Sequence, residues 1–147
     1  MHFAIIMKFV FVTVALFVAT AANPTPEWTI PTDTELYIDA TKCSMLNSNL
    51  PLDQMKMCNV KCVLEKGGFF DETNGFNVEH IVNVEMKSGR SESGARAVAE
   101  KCAVKKEAFE SSCGWANRGL DCLRVESREL KRKEAKQSNM ETDYSRN

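Results

Sequence analysis

The sequence predicts an all-α fold, a compact bundle of about six helices. Three observations carry that expectation. Apolar residues recur at helical spacing along most of the chain. No stretch of useful length alternates apolar and polar residues as a half-buried strand does. Six cysteines stand among 147 residues, with Cys58 and Cys62 four apart on one helical face. One domain is the natural count at this length. A formal net charge of −1 argues against a sequence-independent nucleic-acid binder, which needs a basic surface to neutralise phosphates. Four prolines and seven glycines exclude a collagen or a Pro/Gly-rich linker.

The N-terminus sets the compartment. Of residues 1–21, 17 are hydrophobic, and Ala19-Thr20-Ala21 fits a small-x-small cleavage site. Residues 1–21 therefore read as a signal peptide and the mature protein as secreted and extracellular. A membrane anchor would need about 20 uninterrupted apolar residues, and Pro24 and Pro26 end this run early. No second run of spanning length follows. Lys8 lies oddly inside the apolar stretch, which makes Met7 an alternative start. The remaining 126 residues are 37% hydrophobic with a net charge of −2, a modest core that disulfides can support.

Residues 22–31 read as an extended leader with three prolines. Residues 32–123 form the expected domain. Thr32-Asp33-Thr34-Glu35 matches a capping box. It opens a first helix to about Leu46, with Leu36, Ala40 and Cys43 turned inward. A second helix runs from Leu52 to the Gly67-Gly68 stop. Phe69 to Gly75 reads as a turn-rich loop. Asn77 caps a short third helix carrying Val78, Ile81 and Val82. After the polar loop Lys87–Gly94, Ala95, Val98, Ala99 and Cys102 make the stripe of a fourth helix. A fifth covers about Glu107 to Leu123, with Phe109, Cys113, Ala116, Leu120 and Leu123 on one face and Trp115 and Cys122 nearly opposite. Residues 124–147 are highly charged. Their first half extends the fifth helix or forms a sixth, and disorder is expected from about Gln137. The run Arg128–Lys136 reads as a solvated helix with Glu/Lys pairs.

The six cysteines permit fifteen pairings. Cys58 and Cys62 lie one turn apart, with β-carbons about 5–6 Å apart, where a disulfide wants about 3.5–4.5 Å. Cys113 and Cys122 point half a turn apart on a continuous helix. Excluding both pairs leaves ten connectivities open.

The intervals C-x14-C-x3-C-x39-C-x10-C-x8-C and the passage Leu64-Glu65-Lys66-Gly67-Gly68-Phe69-Phe70-Asp71 to Gly75-Phe76-Asn77 resemble the six-cysteine frame of the insect odorant-binding protein (PBP/GOBP-type) family. The resemblance spans about Asp33 to Cys122. It implies the pairing Cys43–Cys62, Cys58–Cys113 and Cys102–Cys122, one of the ten left open. It also implies an apolar cavity inside the helical shell that carries a small hydrophobic ligand: an odorant, a pheromone or another lipophile. Candidate lining residues are Tyr37, Met55, Phe69, Phe76, Ile81, Val82, Val98, Phe109, Trp115 and Leu120, with Tyr37 as the polar orienter. Aromatic and methionine residues at helical spacing are also what ordinary core packing uses. A chemosensory receptor or another extracellular protein is the implied macromolecular partner.

Enzymatic chemistry is poorly supplied. His80 is the one histidine after the signal peptide, and no nucleophile motif accompanies it. C-x3-C with a single histidine does not match zinc-ligand spacing. Asp71–Gly75 lacks the rest of a calcium loop. No cofactor is expected. Some members of the resembled family release ligand at low pH through histidines and an apolar C-terminal segment. One histidine and a charged tail predict weak pH gating here. The alternative function is a secreted, disulfide-bonded signalling or seminal-fluid protein that acts by protein contact through a filled core.

Overall fold

The computed structural model describes residues 27–144. The signal-peptide reading of residues 1–21 lies outside that span, as do residues 22–26 of the leader. Five helices are present among the described residues: α1 (Asp33–Leu46), α2 (Leu52–Lys66), α3 (Val78–Lys87), α4 (Glu92–Cys102) and α5 (Ser112–Tyr144). The expected fifth helix and its continuation are one element of 33 residues, about 50 Å long at 1.5 Å per residue. It runs on through Gln137, where disorder is the sequence expectation.

Caps explain the helix starts. The Thr32 hydroxyl accepts from the Glu35 amide, and the Glu35 carboxylate accepts from the Thr32 amide at 2.8 Å, the full capping box. The Asn77 side chain accepts from the His80 amide and opens α3. Ser91 caps α4 through the Gly94 amide, so that helix begins three residues before the apolar stripe.

Two local expectations change. The passage after α2 holds a small antiparallel hairpin, β1 (Phe70–Asp71) and β2 (Gly75–Phe76), with Phe70 paired to Phe76. The Asp71 carboxylate accepts from the Thr73 and Asn74 amides and closes its turn. Residues 103–111 are not helical, although the sequence predicts helix from Glu107. Ser111 caps α5 by accepting from the Gly114 amide, and Phe109 takes a left-handed φ of 64° and points fully into solvent.

Arg118 holds this connector. It grips the Glu110 carboxylate with two hydrogen bonds, of 2.9 and 2.7 Å, and donates to the Lys105 carbonyl. The Arg118 bond, with help from the Glu107 amide, holds the Glu110 carboxyl well below its ordinary value of 4.5, at about 2. A carboxyl depressed on folding stabilises the fold above its unfolded pKa, and that contribution fades as pH falls through the folded value. Glu110→Gln should therefore lower the thermal midpoint at pH 7. The gap to wild type should close between pH 4.5 and about 2. Unfolding midpoints across that range check it.

The core joins the hairpin to α3, α4 and α5: Phe70, Phe76, Ile81, Val82, Ala95, Ala99, Trp115 and Ala116 are buried together. Phe70 meets Phe76 and Trp115 edge to face at 5.1 and 5.0 Å. Gly119 lies against the Phe76 ring, and a Cβ there would come within 2.1 Å of it. The glycine that disfavours a helix on propensity is thus what lets α5 approach the hairpin. α1 is different, because Cys43 is its one buried residue. Leu36 is only half-buried and Ala40 is exposed, against expectation.

All six cysteines are bonded: Cys43–Cys62 joins α1 to α2, Cys58–Cys113 joins α2 to α5, and Cys102–Cys122 joins α4 to α5. This is the pairing that the resemblance implies.

Candidate functional site

Among the described residues, an open apolar cleft of about 330 Å³ lies between α2, α3 and α5. Its walls follow from helical spacing. α3 presents Ile81, Val84 and Glu85, at i, i+3 and i+4. α5 presents Leu120, Leu123, Arg124 and Ser127, at i, i+3, i+4 and i+7. α2 contributes Leu64, and the turn after it contributes Phe69. A second hollow of about 340 Å³ adjoins it, lined by Ala40, Asn59, Val60 and Val63. The two share Leu64, Leu120 and Arg124, so one apolar trough crosses the face of the molecule.

Three polar side chains line the first cleft. The Ser127 hydroxyl donates to the Glu85 carboxylate at 2.5 Å, across from α5 to α3. Arg90 approaches the other Glu85 oxygen at 3.8 Å. Arg124 pairs with Asp121 one turn back. A hydroxyl-bearing or amide-bearing ligand would find both a donor and an acceptor here.

The family resemblance implies a cavity inside the helical shell, and the space found here is an open cleft. The reason lies in α5. Instead of turning across the cleft, its C-terminal half packs along α4. A Cβ on Gly94 would meet the Leu130 side chain at 2.7 Å, and the Glu134 carboxylate accepts from the Ser91 amide and hydroxyl.

Of the residues named from sequence, Phe69, Ile81 and Leu120 come together in the cleft. Phe76, Val82, Val98 and Trp115 are buried in the packed interior. Met55 is half-buried on α2 away from the cleft. Tyr37 is 75% exposed and Phe109 108% exposed, so neither faces the cleft. The polar side chains that line the cleft are Glu85, Arg124 and Ser127, and Tyr37 is not among them. Sequence reasoning missed Leu64, Val84, Glu85, Leu123, Arg124 and Ser127 as lining residues. Val84 and Leu123 carried a signal, each three residues beyond a named residue on the same stripe. Glu85 and Ser127 carried none, because only the packing of α3 on α5 brings them together.

No metal-binding cluster of three or more His, Cys, Asp or Glu side chains occurs among the described residues. His80 is half-buried and lies outside the cleft lining.

Comparison with known proteins agrees with this architecture. The model of the PBP/GOBP family matches residues 34–126. The chain is 33% identical to odorant-binding protein 22 of Aedes aegypti over 126 residues, covering 78% of this chain and 88% of that protein. It is 37% identical to general odorant-binding protein 99a of Drosophila melanogaster over 78 residues, covering 52% of this chain and 55% of that one.

Proposed function

The chain belongs to the PBP/GOBP family, and from that premise we propose that it is a secreted extracellular carrier that holds a small hydrophobic molecule in the cleft between α2, α3 and α5. The observation that carries the reading is the cleft itself. Leu64, Phe69, Ile81, Val84, Leu120 and Leu123 supply apolar contact, and Glu85 and Ser127 supply a hydrogen-bonded pair within it. Affinity comes from removing apolar ligand surface from water, at about 25 cal/mol per Å². The polar pair fixes orientation. No helix among the described residues is long and apolar enough to cross a membrane.

A second reading has its own support. Tyr37, Met45, Leu46 and Leu52 are exposed on α1 and at the start of α2, and an apolar surface of that kind suits contact with another protein. Ligand binding separates the two. Delipidated protein should bind N-phenyl-1-naphthylamine at micromolar concentration and release it to long-chain alcohols. Leu120→Trp fills the space shared by both hollows and should weaken that binding about tenfold, with helix content unchanged. Absence of probe binding by wild type, or equal binding by the variant, would sink the carrier reading and favour the protein-contact one.

A further inference from the structure

Trp28 lies in the leader, before α1 and before the residues that the family model matches. It is nevertheless tied to three parts of the domain. Its indole N–H donates to the Gly67 carbonyl at 3.0 Å, satisfying an acceptor at the C-terminal end of α2. Its ring stacks flat on His80 of α3, with centroids 3.7 Å apart and planes 7° from parallel. It meets Phe69 edge to face, with centroids 5.7 Å apart.

The surroundings are built for that indole. Gly68 has a φ of +75°, and a Cβ there would come within 2.8 Å of the Trp28 nitrogen. A larger residue would be strained in its backbone and would push the ring away. His80 is held at its ring edge, with Nδ1 donating to the Gly68 carbonyl at 2.6 Å.

Phe69 is the link to the cleft. Its backbone is pinned by hydrogen bonds, its N–H to the Leu64 carbonyl at 2.8 Å and its carbonyl from the Asn77 amide at 2.9 Å. Its ring is free to choose a rotamer except where neighbours block it. One such neighbour is the indole. We propose that Trp28 is a positioning residue of the ligand site: it holds the Phe69 ring in the cleft wall and acts on the ligand through that ring. Without the indole, Phe69 can swing outward and the wall loses its aromatic face. The inference rests on the cleft being the ligand site.

A double-mutant cycle tests it, with N-phenyl-1-naphthylamine as probe on full-length mature protein whose helix content is verified for every variant. Trp28→Ala should weaken probe binding by about threefold to tenfold. Trp28→Phe keeps a ring against Phe69 and should restore affinity to within about twofold of wild type. In a Phe69→Ala background, adding Trp28→Ala should change affinity by less than about twofold, because the link is already gone. A Trp28→Ala protein that binds as wild type does, or one that loses equally in both backgrounds, overturns this role alone. Wild-type protein that binds no probe overturns the carrier reading and this role with it.

Discussion

Replacing Cys58 and Cys113 together by serine is expected to lower the unfolding free energy by about 4 kcal/mol, more than removing either of the other disulfides. The bond closes 55 residues of chain, whereas Cys43–Cys62 and Cys102–Cys122 close 19 and 20. Loop-closure entropy grows with the logarithm of length, so the longer loop is worth about 1 kcal/mol more. The tertiary setting widens the difference. Cys58–Cys113 ties the middle of α2 to the first turn of α5, and α5 carries Trp115 and Ala116 of the core. Cys43–Cys62 ties down α1, which buries no other residue. Its loss should free α1 while the rest stays folded. Urea unfolding of the two double-serine variants, with amide exchange over residues 33–46, separates a global effect from a local one. Equal losses of global stability in both would contradict this account.

The same contrast marks what could be read before folding. Capped starts were legible at Thr32 and Asn77, because the cap and the residue it satisfies are three apart in sequence. The hairpin was not, since strands of two residues cannot display an alternation. The last part of the connector, from Glu107, reads as helix because Glu107 and Ala108 favour one and Phe109 continues the stripe of Cys113 and Ala116. What overrides them is distant: Arg118 on α5 holds Glu110 and the Lys105 carbonyl, and the Trp115 indole N–H donates to the Val104 carbonyl. The long α5 is similar. Pairs such as Arg132–Glu129 lie along its own surface, but its anchoring on α4 at Ser91 and Gly94 joins residues about 40 positions apart. For the cleft, the apolar stripes of α3 and α5 were visible separately. That Glu85 faces Ser127 depends on how those helices dock, which no local pattern encodes. The disulfide pairing needed the family resemblance, because helix geometry alone stops at ten connectivities.

Trp115→Ala should cost about 3–5 kcal/mol, a large share of the 5–15 kcal/mol that typically separates a folded domain from its unfolded chain. Trp115 is 4% exposed and lies where α5, the hairpin and the connector meet. Truncation removes its edge-to-face contact with Phe70 at 5.0 Å and opens a void against residues that cannot close it. Phe70 and Phe76 are fixed by the ladder of the hairpin, and Ala116 and Gly119 have nothing to extend into the space. The hydrogen bond from Nε1 to the Val104 carbonyl, at 2.7 Å, is the smaller part. Val104 is exposed, so water can take up its carbonyl once the indole is gone. Trp115→Phe should therefore lose only about 1 kcal/mol for that bond and a further increment for the smaller ring. The order wild type, Trp115→Phe, Trp115→Ala in urea midpoints, with the large step last, identifies packing as what Trp115 contributes. Equal losses in the two variants would put the weight on the hydrogen bond instead. Trp115→Ala within about 1 kcal/mol of wild type would mean that the surrounding side chains collapse into the space, and would overturn this account of Trp115.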